Sequence, residues 1–440
     1  MSKISNISVI GLGKLGLCLA SVFASKGFNV TGVDVDKSKI ESINKGISPI
    51  FEPGLQELIA LNRTRLFATS DFSAIKKTDA TFVVVPTPSN EAGEFSLEFV
   101  KPVMENIGKV ISSKSEYHLV VLSSTVMPGS MDDVVRPVLE SNSGKTCGKD
   151  FGICYNPEFI ALGDVIKGFL EPDFILVGES DIKAGEMISE IHRAISKAPI
   201  ERMNFVNAEI AKIAVNSFVT MKISFANTLA EICENLPGGD VEKITSAIGK
   251  DRRIGSAYLK GALGYGGPCF PRDNIAFARF AEKIGTDAQL AVATHEINVK
   301  QVKRIIKLIE SIGVSPSSKV GVLGLTYKPK TNVTEASQPL MLVNALSEQG
   351  FQVYAYDPAF VTDSENVVGP KVTLMKNAED CIESSDICII ATPWDIFSKI
   401  DKSKFSNKII LDCWRIFGHD GLQNALRYVV VGKNISLAKK

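Results

Sequence analysis

Short apolar runs alternate with longer segments of helical periodicity along the first part of the chain. The runs at residues 6–11, 29–34, 80–85 and 119–122 each stop at or just before a glycine, an aspartate, a proline or a serine. Strands buried on both faces of a parallel sheet read as such near-continuous apolar runs. Their alternation with helical segments indicates successive βαβ units, so the pattern predicts a doubly wound α/β sheet.

The pattern changes after residue 207, where one long helical segment continues to about residue 235. A helix of this length is typical of a linker between domains or of a dimer seam. Lys212 and Asn216 are four residues apart, so they share one face of this helix. They are either a snorkelling lysine and a tolerated asparagine, or a functional pair that stabilises an oxyanion or orients a water molecule.

The pattern of the first part starts again after residues 315–318, a polar segment that reads as a linker. Residues 319–324 are similar to residues 6–11, and the strands that follow are similar to later strands of the first part, which indicates an internal repeat. We predict an α/β fold of two Rossmann-like, doubly wound domains joined by a central helical domain with one long helix. The expected domains are residues 1–200, 201–315 and 316–440.

Composition agrees with a folded protein of two or three domains. The chain has 440 residues, of which 45% are hydrophobic and 22% are charged, and this length is too great for one ordinary core. Lys plus Arg and Asp plus Glu both total 49, so the chain lacks the overall positive field that nucleic-acid binding requires. Any anionic ligand must therefore be held by a local site, and no nucleic acid is expected as a partner.

The chain contains no apolar run that approaches the length of a membrane span, because Lys14, Lys26, Lys212 and Lys222 interrupt the most hydrophobic regions. The N-terminus enters a predicted strand without a charged leader or a cleavage site, so we expect a cytoplasmic protein with no membrane partner. Eight cysteines include no Cys-x-x-Cys pair and the four histidines are scattered. We expect no disulfide framework and no metal site.

The first apolar run leads into the glycine loop Gly11-Leu-Gly-Lys-Leu-Gly16, which opens a helical segment, and the second run ends at Asp34. This arrangement is the dinucleotide-binding pattern. Gly11 serves the tight turn, Gly13 lets the backbone approach a pyrophosphate, and Gly16 lets helix and strand pack closely. Asp34 would accept hydrogen bonds from the adenosine ribose and repel a 2'-phosphate. The predicted cofactor is NAD rather than NADP.

Further polar groups follow other predicted strands of the first domain. Pro86-Thr87-Pro88 and Ser123-Ser124-Thr125 come directly after two of them, at the edge where open α/β sheets bind ligands. Glu158 lies in a turn after the strand-like segment 151–154. By itself Glu158 reads most simply as a surface or capping acid.

Residues 264–273 read Gly-Tyr-Gly-Gly-Pro-Cys-Phe-Pro-Arg-Asp, and this loop is where we expect the chemistry. Glycines and prolines make a tight loop that presents Cys269 instead of burying it. A helical segment follows, so Cys269 lies just ahead of a helix N-terminus, which together with Arg272 favours the thiolate. The alternative is that Cys269 is a small apolar residue in a turn.

The turn of the second repeat lacks the three glycines and carries Lys328 and Lys330 instead. Its natural ligand is therefore a nucleotide other than NAD. The chain then binds two nucleotides.

These motifs resemble those of the UDP-glucose/GDP-mannose dehydrogenase family of nucleotide-sugar 6-dehydrogenases, and the resemblance covers nearly the whole chain. The motifs that carry it are residues 264–273, Ser-Ser-Thr125-Val-Met-Pro-Gly, Asn-Pro-Glu158-Phe, Ala-Lys212-x-x-x-Asn216, Gly-Leu-Thr-Tyr-Lys328-Pro and Phe51-Glu-Pro-Gly54.

The resemblance implies an N-terminal NAD domain, a central domain that forms a homodimer, and a C-terminal domain for the nucleoside diphosphate. It implies a four-electron oxidation of a nucleotide-sugar C6 alcohol to the uronic acid, through a thiohemiacetal and a thioester on the cysteine. Such an enzyme supplies polysaccharide biosynthesis. The substrate class includes UDP-glucose, UDP-N-acetylhexosamine and GDP-mannose types, and the motifs do not assign the base or the sugar.

The resemblance also implies roles for individual residues. Cys269 is the nucleophile, Lys212 and Asn216 stabilise oxyanions, and Asp273 assists the water and the lysine. Glu158 and Thr125 orient the hydrolytic water, with Glu158 as candidate base. The cofactor-binding residues are Gly11, Gly13, Lys14, Leu15, Gly16, Asp34, Lys39, Thr87 and Thr125. The substrate-binding residues are Glu158, Phe159, Lys212, Asn216, Arg253, Tyr258, Lys260, Gly266, Tyr327 and Lys328, with Arg253 a candidate to serve the partner subunit's site.

Two positions depart from the family pattern. Leu162 stands where many members carry a second acid, four residues after Glu158. Glu335 stands where many members carry an arginine that helps to hold the cofactor.

Three other functions were weighed against this one. A two-electron dehydrogenase of the 3-hydroxyacid type would also pair a Rossmann domain with a lysine and asparagine on a helix, but it needs neither Cys269 nor the second repeat. A short-chain epimerase is disfavoured because no tyrosine has a lysine four residues later. A non-catalytic nucleotide-sugar sensor would keep the fold and lose the turnover. The intact Cys269, Lys212, Asn216 and Asp273 argue against it, while Leu162 and Glu335 are compatible with it.

Overall fold

The computed structural model describes residues 4–360, 368–418 and 421–434. The chain divides into two compact units, Met1–Ala214 and Val215–Lys440, here called the N-terminal and C-terminal units. The boundary between them falls within the long helix Phe205–Asn235. The finer division into three domains near residues 200 and 315 stays a prediction.

The N-terminal unit contains eight described strands and seven described α-helices ahead of the long helix. The strands are β1 (Asn6–Ile10), β2 (Asn29–Val33), β3 (Leu66–Thr69), β4 (Ala80–Val83), β5 (His118–Leu122), β6 (Phe151–Tyr155), β7 (Ile175–Glu179) and β8 (Ile200–Met203). The helices are α1 (Lys14–Ser25), α2 (Lys37–Asn44), α3 (Leu55–Leu61), α4 (Val100–Ile111), α5 (Arg136–Ser143), α6 (Val165–Leu170) and α7 (Ile182–Ile195), and α8 (Phe205–Asn235) follows.

The described strands of this unit form one sheet in the order β3-β2-β1-β4-β5-β6-β7-β8. Neighbouring strands are parallel except at β6 and β7, which pair antiparallel, so β7 and β8 run against the other six. Strands β1, β2, β4, β5 and β6 match the predicted doubly wound sheet, and β3 was not predicted. The reversed pair at the edge was not predicted. The strand order reverses between β1 and β4, which is where ligands bind in open α/β sheets.

Both faces of this sheet are buried, which explains why its strands read as apolar runs. Side chains along β5 alternate between two core clusters. Leu119 and Val121 pack in a cluster with residues of α1 and α7. Val120 and Leu122 pack in a second cluster with residues of α4 and α5. Helices therefore cover the sheet on both sides.

The C-terminal unit contains the remaining α-helices and a second sheet. Its helices after α8 are α9 (Val241–Ile248), α10 (Phe270–Lys283), α11 (Gln289–Ser311), α12 (Gln338–Glu348), α13 (Ala378–Glu383) and α14 (Asp395–Ser398). Its strands are β9 (Lys319–Leu323), β10 (Gln352–Tyr356), β11 (Val372–Leu374), β12 (Ile387–Ile390), β13 (Ile409–Asp412) and β14 (Arg427–Val430). The described strands are all parallel, in the order β11-β10-β9-β12-β13-β14.

The first six strands of the N-terminal sheet and the six strands of the C-terminal sheet follow the same order, and both sheets have the same turn after their first strand. After β1, the N–H of Leu12 donates to Asp34 Oδ2 at 2.6 Å. After β9, the N–H of Leu325 donates to Asp357 Oδ2 at 2.8 Å. The predicted internal repeat is therefore present in the structure: both sheets have the same turn after their first strand, with the same hydrogen bond to an aspartate. No helix in the described ranges is long and apolar enough to cross a membrane.

Candidate active site

In the glycine loop of the N-terminal unit, Gly11 and Gly16 are required by the packing of the protein, whereas Gly13 leaves room for a ligand. Gly11 has φ +90°, and a Cβ there would lie 2.4 Å from the carbonyl oxygen of Val84. A Cβ at Gly16 would lie 1.9 Å from the carbonyl oxygen of Gly11. A Cβ at Gly13 would meet no protein atom within 4 Å. The protein itself therefore explains the first and third glycines, while the open space at Gly13 fits a pyrophosphate that approaches the backbone.

The start of α1 completes this cradle. Lys14 and Leu15 form the first turn after Gly13, and no side chain caps the helix. The backbone N–H groups and the helix dipole at such an N-terminus favour a phosphate. Asp34 is half-buried beside the loop, and its Oδ1 accepts a hydrogen bond from Asp36 N at 2.9 Å. A fixed carboxylate at this position suits the free 2'-hydroxyl of NAD.

The other predicted cofactor residues lie near the same edge or on α2. Lys39 is in α2, where its Nζ is 3.9 Å from Asp36 Oδ2. Thr87, after β4, and Thr125, after β5, are joined directly, because the Thr87 hydroxyl donates to the carbonyl oxygen of Thr125 at 2.7 Å. The Ser124 hydroxyl donates to the carbonyl oxygen of Val85 at 2.6 Å. The loops after these two neighbouring strands are therefore fixed to each other.

Glu209 is a residue that sequence reasoning missed. It is fully buried on α8, and its carboxylate accepts hydrogen bonds from Gly129 N at 2.7 Å and Met131 N at 2.8 Å. These bonds hold the end of the segment that carries Thr125. Burial raises the pKa of Glu209 to about 7. The signal in the sequence was an acid in an apolar helical run, three residues before Lys212.

Glu158, Phe159 and Lys212 come together within the N-terminal unit. Lys212 is buried, and its Nζ donates to the carbonyl oxygen of Glu158 at 2.6 Å and lies 4.6 Å from the centroid of the Phe159 ring. Burial raises the pKa of the Glu158 carboxyl to about 7, and the nearby Lys212 charge opposes part of that rise. A carboxyl with a pKa near neutrality can exchange a proton at physiological pH, as a general base must.

The segment after Glu158 is held by Glu52 of the Phe51-Glu-Pro-Gly54 motif. Its buried carboxylate accepts hydrogen bonds from Gly163 N at 3.2 Å and Val165 N at 2.8 Å. Leu162, one of the two departures from the family pattern, packs against the core of the unit. The position therefore contributes apolar packing in this chain. The role of Glu52 was also missed, because its partners lie more than a hundred residues away.

Cys269 is the one exposed cysteine among the eight, all of which lie in the described ranges. It is the N-cap residue of α10, and Pro271 lies in the first turn as predicted. A thiol at a helix N-terminus experiences the positive end of the helix dipole, which favours the thiolate. The predicted exposure of Cys269 and its position at the helix start are both confirmed.

Asp273 and Asn216 form a buried pair next to Cys269 in the C-terminal unit. The Asn216 side-chain nitrogen donates to Asp273 Oδ2 at 2.6 Å. The N–H of Asp273 donates to the carbonyl oxygen of Cys269 at 2.8 Å. Arg272 Nε is 3.8 Å from Asp273 Oδ1. The candidate nucleophile, its neighbouring carboxylate and the α8 amide are therefore linked through one helical turn.

The glycines before Cys269 pack against the loop that follows β9. A Cβ at Gly266 would lie 2.3 Å from the carbonyl oxygen of Ala336, and one at Gly267 would lie 2.7 Å from the Tyr327 ring. The N–H of Gly267 donates to the carbonyl oxygen of Glu335 at 3.0 Å. Glu335, the second departure, thus contributes a main-chain oxygen, and its side chain is exposed. The pKa of the Tyr327 hydroxyl is raised, mainly because the side chain is buried and to a smaller extent because of the negative charge of Cys269.

The remaining predicted substrate residues are more dispersed. Tyr258 has φ 60°, and its ring meets the Phe270 ring edge to face at 6.4 Å. Arg253 is 85% exposed in its side chain and pairs with Asp251 at 2.6 Å. Lys260 is exposed, and Lys328 Nζ lies 5.9 Å from the centroid of the Tyr327 ring. The structure thus brings Tyr258 to the start of α10 and leaves Arg253 at the surface.

A glycine cradle with Asp34 beside it, on a sheet of Rossmann order, defines a dinucleotide-binding protein whose site suits NAD. Three family models match the chain in succession: the NAD binding domain of the UDP-glucose/GDP-mannose dehydrogenase family over residues 5–196, its central domain over residues 206–300 and its UDP binding domain over residues 321–419. The chain belongs to the UDP-glucose/GDP-mannose dehydrogenase family. It is an NAD-dependent nucleotide-sugar dehydrogenase, so the predicted family, enzyme class and cofactor are confirmed.

Relatives agree with this membership. The chain is 36% identical to the UDP-glucose 6-dehydrogenase AglM of Haloferax volcanii, over 93% of this chain and 96% of that protein. It is 32% identical to the GDP-mannose 6-dehydrogenase of Pseudomonas aeruginosa, over 92% of this chain and 95% of that protein. The solved UDP-glucose dehydrogenase of Pyrobaculum islandicum superposes with a TM-score of 0.90 at 33% identity, covering 98% of each chain.

Proposed function

We propose that this enzyme oxidises the C6 alcohol of a UDP-sugar to the carboxylate in two successive oxidations, with Cys269 as the covalent nucleophile. The observation that carries the proposal is the exposed Cys269 at the start of α10, beside the buried Asn216–Asp273 pair. A simple two-electron dehydrogenase has no use for a presented thiol.

NAD supplies the hydride acceptor for each oxidation. The Cys269 thiolate forms a bond to C6 at the aldehyde level, and the former carbonyl oxygen becomes an oxyanion. The second oxidation turns this adduct into a thioester. Water then attacks C6, the carbon–sulfur bond breaks, and the thiolate and the carboxylate product are released. The net change consumes one water and releases protons from the alcohol and the water.

The side chains take the following roles in this proposal. Lys212 and Asn216 donate to the successive oxyanions, since an ammonium and an amide stabilise developing negative charge. Glu158 accepts the proton of the hydrolytic water, which a carboxyl with a pKa of about 7 can do. Asp273 holds Asn216 and assists the water and Lys212. Thr125, in the loop joined to Thr87, helps to orient that water.

UDP-glucose is the first substrate to test. Residues 321–419 match the UDP binding domain model, and relatives at 36% and 33% identity are UDP-glucose dehydrogenases. A GDP-mannose relative at 32% identity makes GDP-mannose the second candidate. In this proposal Arg253, Tyr258, Lys260, Gly266, Tyr327 and Lys328 contact the sugar nucleotide. The product would supply polysaccharide biosynthesis in the cytoplasm.

We also propose a homodimer formed along α8. Phe218, Phe225 and Ile232 recur every seven residues and are 60%, 50% and 54% exposed. A seven-residue apolar repeat on a helix is the pattern with which one helix packs against another. A second copy of the same helix would cover the stripe, and Arg253 of one protomer would then be available to the partner's site. The three-domain division at residues 200 and 315 remains part of the proposal.

The test is the number of NADH formed per sugar nucleotide consumed, measured with UDP-glucose, UDP-N-acetylglucosamine, UDP-N-acetylmannosamine, UDP-galactose and GDP-mannose. We expect a ratio near two with one substrate. Cys269→Ser should abolish acid formation and leave NAD and nucleotide binding largely unchanged, while the half-buried Cys147→Ser serves as control. A ratio near one, or full turnover by Cys269→Ser, would end the covalent mechanism. Binding without any NADH would favour a sensor.

A further inference from the structure

Asn298 of α11 makes two hydrogen bonds to the backbone of one residue in the cysteine loop. Its Oδ1 accepts from Tyr265 N at 2.8 Å, and its Nδ2 donates to the carbonyl oxygen of Tyr265 at 2.9 Å. Asn298 is 3% exposed. A buried amide that loses either partner carries the full cost of desolvation, so the pair fixes both the position and the direction of Tyr265.

Gly264, the first glycine of the loop, leaves the space that the Asn298 side-chain amide occupies. A Cβ at Gly264 would lie 2.3 Å from Asn298 Oδ1, a distance that real Cβ atoms do not reach. Glycine is therefore needed at position 264 for the approach of Asn298. Gly266 and Gly267 serve the later contacts with Ala336 and Tyr327, so each glycine before Cys269 has a separate neighbour.

Tyr265 transmits this constraint to the start of α10. Its ring meets the Phe270 ring edge to face at 6.2 Å, and Phe270 directly follows Cys269. Its hydroxyl oxygen lies 3.3 Å from Asn274 Nδ2, which also donates to Thr220 of α8 at 2.8 Å. Tyr265 therefore contacts the residue after Cys269 and a residue one turn further along the helix.

We propose that Asn298 is a positioning residue for Cys269, acting through Tyr265 and the first turn of α10. The inference rests on the proposed role of Cys269 as nucleophile. Asn298 touches neither the thiol nor the substrate in this scheme. It sets the orientation in which Cys269 meets C6, and a small misplacement of a reacting group is enough to slow a reaction strongly.

The chain offers a matched control in Asn227. This asparagine of α8 is also buried, and it clamps the preceding part of the same segment, with Oδ1 accepting from Ala262 N at 2.9 Å and Nδ2 3.4 Å from the carbonyl oxygen of Leu263. Its loss should cost comparable stability without releasing Tyr265. Stability and positioning are thus separable by comparing two alanine variants.

The experiment measures kcat, KM for NAD and for the sugar nucleotide, and the rate at which iodoacetamide labels Cys269, in full-length Asn298→Ala and Asn227→Ala. We expect Asn298→Ala to lower kcat about ten- to a hundredfold with KM values nearly unchanged. Cys269 labelling should slow several-fold, because the thiol leaves its place at the helix start. Asn227→Ala should keep both rates near wild type.

Gly264→Ala disturbs the same contact from the other side, because the added Cβ would displace Asn298. It should lower kcat as Asn298→Ala does, and the two changes together should be less than additive because they remove one contact. Equal losses in Asn298→Ala and Asn227→Ala, or a change confined to KM, would overturn the inference. Faster labelling of buried Cys233 would show general loosening and would also overturn it. If Cys269→Ser itself retains turnover, the proposed function fails instead.

Discussion

The side-chain amide of Asn216 donates to Asp273 Oδ2 at 2.6 Å, and both side chains are buried. This bond joins α8 to the first turn of α10, which begins at the candidate nucleophile. A charge-assisted hydrogen bond in such surroundings is stronger than one between neutral groups. It holds the carboxylate and the amide at fixed positions beside Cys269.

Asp273→Asn should impair both chemistry and stability, because a neutral amide accepts a weaker hydrogen bond from Asn216 than a carboxylate does and turns its NH2 group toward Arg272. We expect kcat to fall about a hundredfold or more, and the free energy of unfolding to fall by about 1–3 kcal/mol. Steady-state kinetics and urea unfolding measure the two effects. The exposed Asp287→Asn is the control. Wild-type kcat in Asp273→Asn would remove this pair from the mechanism.

Gly13→Ala and Gly16→Ala should separate cofactor binding from folding. A Cβ at Gly16 meets the Gly11 carbonyl, so this variant should lose about 1–3 kcal/mol of stability. A Cβ at Gly13 meets no protein atom within 4 Å, so this variant should melt near wild type and bind NAD at least about tenfold more weakly. Thermal unfolding and calorimetric titration with NAD distinguish them. Titration with UDP is the control, and NAD affinity unchanged in Gly13→Ala would place the pyrophosphate elsewhere.

Glu209 should make stability depend on pH in a defined direction. Its pKa is raised from 4.5 to about 7 in the folded protein, so the folded state binds this proton more tightly than the unfolded state. The contribution of the group is complete below about pH 4.5 and is lost as the pH rises through about 7, a change of up to about 3 kcal/mol. Melting temperatures of wild type and Glu209→Gln should therefore diverge between these values.

The exposed Glu201→Gln serves as the comparison for that measurement, since its melting curve should follow wild type at every pH. Parallel curves for wild type and Glu209→Gln would mean that the buried carboxyl does not titrate in this range.

Glu158 should make kcat fall at acidic pH, which appears as an acidic limb in the pH profile. Because its pKa is about 7 and the base must be ionised, kcat should rise with pH through about 7 and then level off. Glu158→Gln should lose this limb and lower kcat about a hundredfold or more. A covalent sugar adduct should accumulate on the Cys269 peptide, where mass spectrometry detects it. The same limb at an undiminished rate in Glu158→Gln would assign it to another group, for which Glu209→Gln is the comparison.

Phe225→Glu should disrupt the proposed dimer. The substitution places a charge in the centre of the apolar stripe on α8, where a second copy of the helix would have to desolvate it. We expect a monomer in light scattering after size exclusion. Phe67→Glu, at an exposed phenylalanine on the edge strand β3, should not change the mass. A dimer that persists in Phe225→Glu would move the interface away from this stripe.

Many strands of both sheets and the long helix could be predicted from the sequence, because they depend on neighbours a few residues apart, whereas β3, β11, β13 and β14 were not predicted. The predicted helix at 207–235 is α8, Phe205–Asn235, and the strand predicted at 6–11 is β1, Asn6–Ile10. The antiparallel β7 and β8 could not be predicted. Apolar runs show that a strand is buried, and they carry no information about its direction.

The cofactor loop and the cysteine loop could also be predicted from the sequence. The spacing of Gly11, Gly13 and Gly16 carries the cofactor site, and the glycines and prolines around Cys269 present the thiol, since both depend on backbone freedom within one turn. These features were determined by the sequence by itself. Only the tertiary structure decided which groups hold the turns in place. Glu52, Glu209 and Asn298 reach backbone N–H groups 111, 80 and 33 residues away. Such bonds form only when folding brings distant segments together, and no local pattern encodes them.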